Sequence, residues 1–179
     1  MLYVEQSLGP NEELVHVGKF HWMYTVHAFM AIIWGIIISL MIVVGGVIVY
    51  KQMGIFPANL PIMEGLQNLD LLHPGLRIAA FIAFVLGLLS FAQMMVVKAT
   101  TEIAITNTRL VYKRGLVARQ VGEMSIDRIE GVNVLQTILG RIFNYGRLAV
   151  RGMGIGEVVL PPIEDPIAFR QAIERARTI

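Results

Sequence analysis

The chain has 179 residues, 55% of them hydrophobic and 16% charged, with a formal net charge of +2 and no cysteine. A mean hydropathy of +0.64 is that of an integral membrane protein rather than a soluble one. The length leaves room beside the membrane segments for one soluble domain of about 80–100 residues, and the lack of cysteine excludes disulfides, thiolate metal sites and cysteine nucleophiles.

Residues 1–19 start with LYVEQSL, followed by a Gly9-Pro10-Asn11 turn. From Glu13 to Gly18 the alternation of Val15 and Val17 about His16 predicts a short half-buried strand. A strand alone is not stable, so it requires a sheet elsewhere; the alternative is a disordered N-terminal tail. A cleaved signal peptide is not expected, because no basic n-region precedes the apolar run and that run is too long for an h-region.

Residues 20–98 are expected to form a transmembrane hairpin. Between Lys19 and Lys51 there is no charged residue, and between Arg77 and Lys98 there is again none. Spans at about 22–50 and 78–97 each reach the roughly 20 apolar residues that cross a bilayer, with the outer loop at 51–77. Trp22, Tyr24 and Tyr50 stand where aromatic belts form. From Lys98 onward the chain carries twelve Lys or Arg against eight Asp or Glu, and before it only Lys19, Lys51 and Arg77 are basic. This asymmetry places both termini on the cytoplasmic side of a plasma (inner) membrane.

Ala31, Gly35 and Ser39 recur every four residues in the first span, and Ala79, Ala83 and Gly87 in the second. Such small-residue stripes let helices approach closely, and an antiparallel hairpin is expected to bring Ser39 and Gly45-Gly46 near Ala79 and Ala83. His21 and His27 flank the start of the first span. Six residues apart, they do not share a helical face, so interfacial anchoring is expected in preference to a metal or proton role. The outer loop is apolar and carries Pro57, Pro61 and Pro74. Pro61 can open a short helix with Glu64 in its first turn. Ile55, Phe56, Ile62, Leu66 and Leu69 are then candidates for packing on the outer leaflet or for docking a partner protein.

After Lys98 the pattern changes to short β-prone runs at 101–105, 109–113, 116–124 and 129–135, separated by turns at Thr106-Asn107-Thr108, Arg114-Gly115 and Asp127-Arg128. A short helix at 136–144 follows, then a hairpin of 148–151 and 157–160 around Gly152–Gly156. Asp165 and Pro166 mark the N-cap and first turn of a closing helix, with Phe169, Ala172, Ile173 and Ala176 on one face. Residues 99–179 therefore predict a small β-barrel with a helical plug.

Four ordered stretches carry a family resemblance. Thr101–Leu110 (TEIAITNTRL) with Lys113-Arg114-Gly115-Leu116, Ile126–Val134 (IDRIEGVNV), Leu139–Gly146 (LGRIFNYG) and the lead-in Glu13–His21 together resemble the bacterial pleckstrin-homology-like membrane proteins. The resemblance covers most of the chain outside the outer loop, which is longer here than is usual for the family. It implies an α+β membrane protein in which the hairpin is inserted into a cytoplasmic PH-like β-barrel closed by the C-terminal helix. Residues 1–19 then supply an edge strand of that barrel. It implies no settled catalytic activity, and phosphoinositide binding does not follow from the fold.

The residues themselves offer little to an enzyme. All four histidines precede residue 74, and the glycines at 152, 154 and 156 lead into a strand rather than a phosphate-binding helix. No catalytic residue, cofactor or metal is expected, and no groove-reading motif points to nucleic acid. Lys98, Lys113, Arg114 and Arg119 lie close in sequence to the second span, where cations attract anionic headgroups at about 1 kcal/mol each; the alternatives are nonspecific leaflet contact or a purely topological role. Asp127, Arg128 and Arg141 are expected to anchor turns. The expected function is a membrane adaptor or scaffold, an accessory subunit of a membrane complex or a homo-oligomer. The alternative is a lipid-binding sensor or lipid-handling protein.

Overall fold

The computed structural model describes residues 3–55, 61, 70, 72–115, 120–154 and 156–178. The chain divides into two compact units, one made of Met1–Tyr24 and Val96–Ile179 and the other of Thr25–Met95.

The first unit holds α1 (Tyr3–Gln6), β1 (Leu14–Gly18), β2 (Glu102–Thr106), β3 (Arg109–Arg114), β4 (Gln120–Ser125), β5 (Ile129–Leu135), α4 (Ile138–Ile142), β6 (Tyr145–Gly152), β7 (Gly156–Val159), β8 (Ile163–Glu164) and α5 (Pro166–Ala176). The strands form two four-stranded antiparallel sheets, one ordered β1-β2-β3-β4 and one ordered β5-β6-β7 with β8 on β6. Among the described residues the barrel-like domain expected from the resemblance is a pair of sheets, joined on one side by the 3-10 turn Ile126–Arg128 and on the other by the bridge from Phe20, just past β1, to Ile163 of β8. One apolar core lies between them. Ile103, Ile105 and Leu110 from the first sheet meet Leu148, Val150 and Ile163 from the second, and Phe169, Ala172, Ile173 and Ala176 of α5 complete it. Asp165 caps α5 by accepting from the Ala168 N–H at 3.2 Å, and Pro166 at the first turn leaves no amide unsatisfied there.

β2 does not alternate: four of its five residues are buried. The cause is α1, which the sequence did not announce. Val4 covers Ala104 and Val111 on the outer face of the first sheet, so both faces of β2 and β3 lie in apolar surroundings.

The second unit is a helical pair. α2 (Trp22–Gln52) and α3 (Pro74–Thr100) are long and apolar enough to cross a membrane. α3 begins four residues before the expected span because the His73 Nδ1 accepts from the Gly75 N–H at 3.0 Å and serves as its cap. Where the helices cross, a Cβ on Gly35 would stand 2.9 Å from the Gly87 Cα, and one on Gly87 would stand 2.9 Å from the Ala31 carbonyl oxygen. Both positions require glycine, since any side chain must push two backbones apart. The register differs from the expected one. A Cβ on Gly46 would meet Leu72 and Leu76, one on Gly45 would meet nothing within 4 Å beyond its own helix, and Ala80 rather than Ala79 is buried. The sequence spacing is right for a stripe, but three- and four-residue steps alternate on a real helix face, and a strict four-residue step drifts off it by Ala79.

Candidate membrane and partner interfaces

The most elaborate polar constellation of the first unit holds residues 7–13 onto the β2–β3 turn. Glu12 Oε1 accepts from the Thr106 hydroxyl at 2.7 Å, the Thr108 hydroxyl at 3.1 Å and Arg109 Nε at 2.9 Å. Its Oε2 accepts from the Gly9 N–H at 2.8 Å and Arg109 Nη2 at 3.0 Å. Arg109 also donates from Nη1 to Glu123 at 2.7 Å and from Nη2 to the Ser7 carbonyl at 2.7 Å. Asn107 donates to the Asn11 carbonyl at 3.1 Å, and its Oδ1 accepts from the Glu13 N–H at 3.1 Å. Burial pushes the Glu12 carboxyl upward, but the Gly9 N–H, the Thr106 hydroxyl, the Arg109 guanidinium and the Thr108 hydroxyl outweigh it and hold the group at about 2. Hydrogen bonding to Glu12 raises Arg109 further above its ordinary value. Both oxygens of Glu12 and three nitrogens of Arg109 are engaged by the protein itself, so the cluster is a clasp and not a ligand site. The ITNTRL stretch of the resemblance contains four of its residues, yet nothing in the sequence alone linked them to Glu12.

The histidines are structural too. His21 is buried and stacks on Tyr145 at 5.0 Å, and its Nδ1 accepts from the Met23 N–H at 3.2 Å. It is a packed residue of the first unit, not the interfacial anchor expected. His16 meets Phe169 edge-on at 5.6 Å. Among the described residues no group of three His, Asp or Glu side chains is gathered as metal ligands.

The basic candidates differ in setting. Lys113 is largely buried and donates to Glu102 at 3.0 Å. Arg114 is exposed at the end of β3, and Lys98 lies in the last turn of α3. Arg119 lies outside the described residues. Of the outer-loop candidates, Ile55 is exposed just beyond α2, while Phe56, Ile62, Leu66 and Leu69 lie outside the described residues. Where the hairpin turns, Val47 and Leu72 are buried against Val43, Tyr50 and Leu76, and the Tyr50 hydroxyl accepts from the His73 N–H at 3.1 Å.

β1 forms one edge of its sheet; just past it the Lys19 carbonyl accepts from the Glu164 N–H at 2.8 Å and Phe20 bridges Ile163 of β8, so only the earlier part of the strand lacks a neighbour on that side. Along its other side runs a groove of about 510 Å³ lined by Leu14, Val15, His16, Val17 and Lys19, with Glu164 and Asp165 facing them. An edge strand beside open space can accept an added strand through its main chain.

These features define the class: an α+β domain of two packed sheets and a C-terminal helix, interrupted between its first two strands by a pair of long apolar helices. The bacterial PH domain model matches residues 14–177, from the first residue of β1 past the end of α5, and the chain belongs to that family. No curated protein and no solved structure matches it.

Proposed function

We propose that the protein is a non-enzymatic membrane adaptor, an accessory or assembly subunit whose PH-like domain receives an extended segment of a partner protein along β1. The groove beside an edge strand carries this reading, because main-chain pairing supplies affinity and flanking pockets supply selectivity. α2 and α3 cross the plasma membrane, with both termini cytoplasmic. Of the most apolar eighteen-residue stretch of each helix only 17% and 11% is buried. The core helix of a soluble protein is mostly buried, so the rest of this surface faces lipid or other membrane proteins. The outer loop is a further docking surface. Lipid sensing through the basic rim of Lys98, Lys113, Arg114 and Arg119 is the weaker reading, because Lys113 is occupied by Glu102.

Extraction in mild detergent followed by native mass spectrometry tests the proposal. A defined protein partner, or a second copy, is expected with the wild-type chain and is lost in Val15→Lys, which places a charge on the open edge. A lone chain carrying stoichiometric anionic lipid overturns the adaptor reading in favour of the lipid one.

A further inference from the structure

We propose that α4 and its flanks form a separate, interfacial membrane contact: a braced apolar wedge that enters the headgroup region of the bilayer crossed by α2. The inference rests on the reading that α2 spans a membrane. Ile138 is 81% exposed, Ile142 68%, Leu139 51% and Phe143 41%, all within six consecutive residues. Single exposed apolar side chains are ordinary, but a contiguous set marks an interaction surface. These side chains do not fold back, because the loop is fixed from within. Thr137 caps α4 by accepting from the Gly140 N–H at 3.1 Å, and Gln136 Nε2 donates to the Tyr145 carbonyl at 3.2 Å. A Cβ on Gly140 would stand 2.6 Å from that same carbonyl oxygen, so the loop is closed as tightly as backbone allows.

Two observations select lipid as the occupant. Phe143 meets Trp22 edge-on, with ring centroids 5.7 Å apart. Trp22 is the first residue of α2, and tryptophan at the end of a span lies at headgroup level. The wedge is therefore joined to the point where the chain enters the bilayer. The charge agrees: between Glu130 and Glu157 the chain carries Arg141, Arg147 and Arg151 and no acidic residue. Arg141 and Arg147 are exposed, and Arg147 is the cross-strand partner of Leu135, which extends the apolar patch onto β5. Apolar side chains immersed by about 5–10 Å with cations at the headgroups are the signature of an interfacial segment.

The native chain has no cysteine, so single-site labelling is direct. Ile142→Cys, Gln171→Cys on the exposed side of α5 and Ile37→Cys within α2 are each labelled with bimane. The full chain is then reconstituted into phosphatidylcholine–phosphatidylglycerol vesicles carrying doxyl-labelled lipids. Shallow doxyl groups are expected to quench position 142 at least threefold more than position 171, and deep doxyl groups to quench position 37. Equal quenching at 142 and 171 with position 37 quenched overturns the wedge alone. Failure at position 37 as well removes the spanning reading on which it rests. A label at 142 shielded from aqueous iodide but untouched by lipid doxyl groups also overturns the proposal and assigns the patch to a protein surface.

Discussion

Glu12→Gln is the sharpest perturbation of the domain, because it keeps the shape of the clasp and removes its charge. The drop of the carboxyl from 4.5 to about 2 corresponds to about 3 kcal/mol of stabilisation. The Glu12 side chain is 6% exposed but that of its partner Arg109 is 24% exposed, so solvent screening lowers that figure. Arg109 keeps Glu123 and the Ser7 carbonyl in the variant, which makes the value an upper bound. The folded value lies below the unfolded one. The contribution is therefore complete above pH 4.5 and is lost as the pH falls from there towards 2. Hydrogen exchange of the full chain in lipid nanodiscs reads the opening of residues 3–12 and of β2–β3 directly. At pH 6 the variant is expected to exchange there up to about a hundredfold faster, since each 1.4 kcal/mol is a factor of ten. After correction for intrinsic rates, wild-type protection is expected to decline below pH 4.5 while that of the variant stays flat. Equal protection at pH 6, or a wild-type profile without that decline, would refute the clasp as an energetic feature.

The helical pair gives a paired test. Gly87→Leu must separate two backbones 2.9 Å from contact with any added Cβ, whereas Ala79 is exposed. Gly87→Leu is expected to lower the thermal midpoint of the detergent-solubilised protein by several degrees, with Ala79→Leu unchanged. Phe169 is fully buried at the centre of the soluble core, and Phe169→Ala should destabilise the first unit by about 3–5 kcal/mol, visible as loss of exchange protection in both sheets. Asp165→Ala removes the α5 cap and should cost about 1 kcal/mol in chemical denaturation. Asp165→Gly should cost less, because the left-handed backbone at that position (φ 45°) suits glycine.

Much of the architecture is legible in local pattern. Long uncharged runs, short β-prone segments between turn residues, and an Asp-Pro helix start are each set by chemistry within a few residues, and α2, α3, most strands and α5 fall close to where those signals stand. What the sequence hides is long-range. α1 has only four residues, too few for a periodic signal, and it exists because Val4 covers Ala104 and Val111. β8, two residues long, is held by pairing with β6. Glu12 stands 97 residues from its partner Arg109, so neither charge announces the other. Lys113 read as a cation for headgroups because Glu102, its cross-strand partner, becomes a neighbour only once β2 and β3 pair. The short helix α4 is legible, but which way its apolar residues face is not, and only their exposure shows that they face outward.

The clasp also accounts for how one domain tolerates an insertion of the length of α2 and α3 between its first two strands. Joining ends across so long a segment carries a loop-closure entropy that grows only slowly with length, but it must still be met by contacts between residues before and after the insertion. β1 pairs with β2 from Leu14↔Thr106 to Gly18↔Ile103, and β2 reaches the turn where Thr106, Asn107, Thr108 and Arg109 receive residues 7–13. One side of the domain thus gathers both flanks of the hairpin, by a main-chain ladder at one end and by a buried ion pair at the other. The polar residues of ITNTRL are spent on this closure, while on the opposite side of β1 the groove runs up to the Lys19 carbonyl, which accepts from the Glu164 N–H at 2.8 Å. Weakening the clasp should therefore loosen β1 and its groove together, so that on the proposed adaptor reading Glu12→Gln diminishes partner capture in native mass spectrometry without altering any residue that lines the groove.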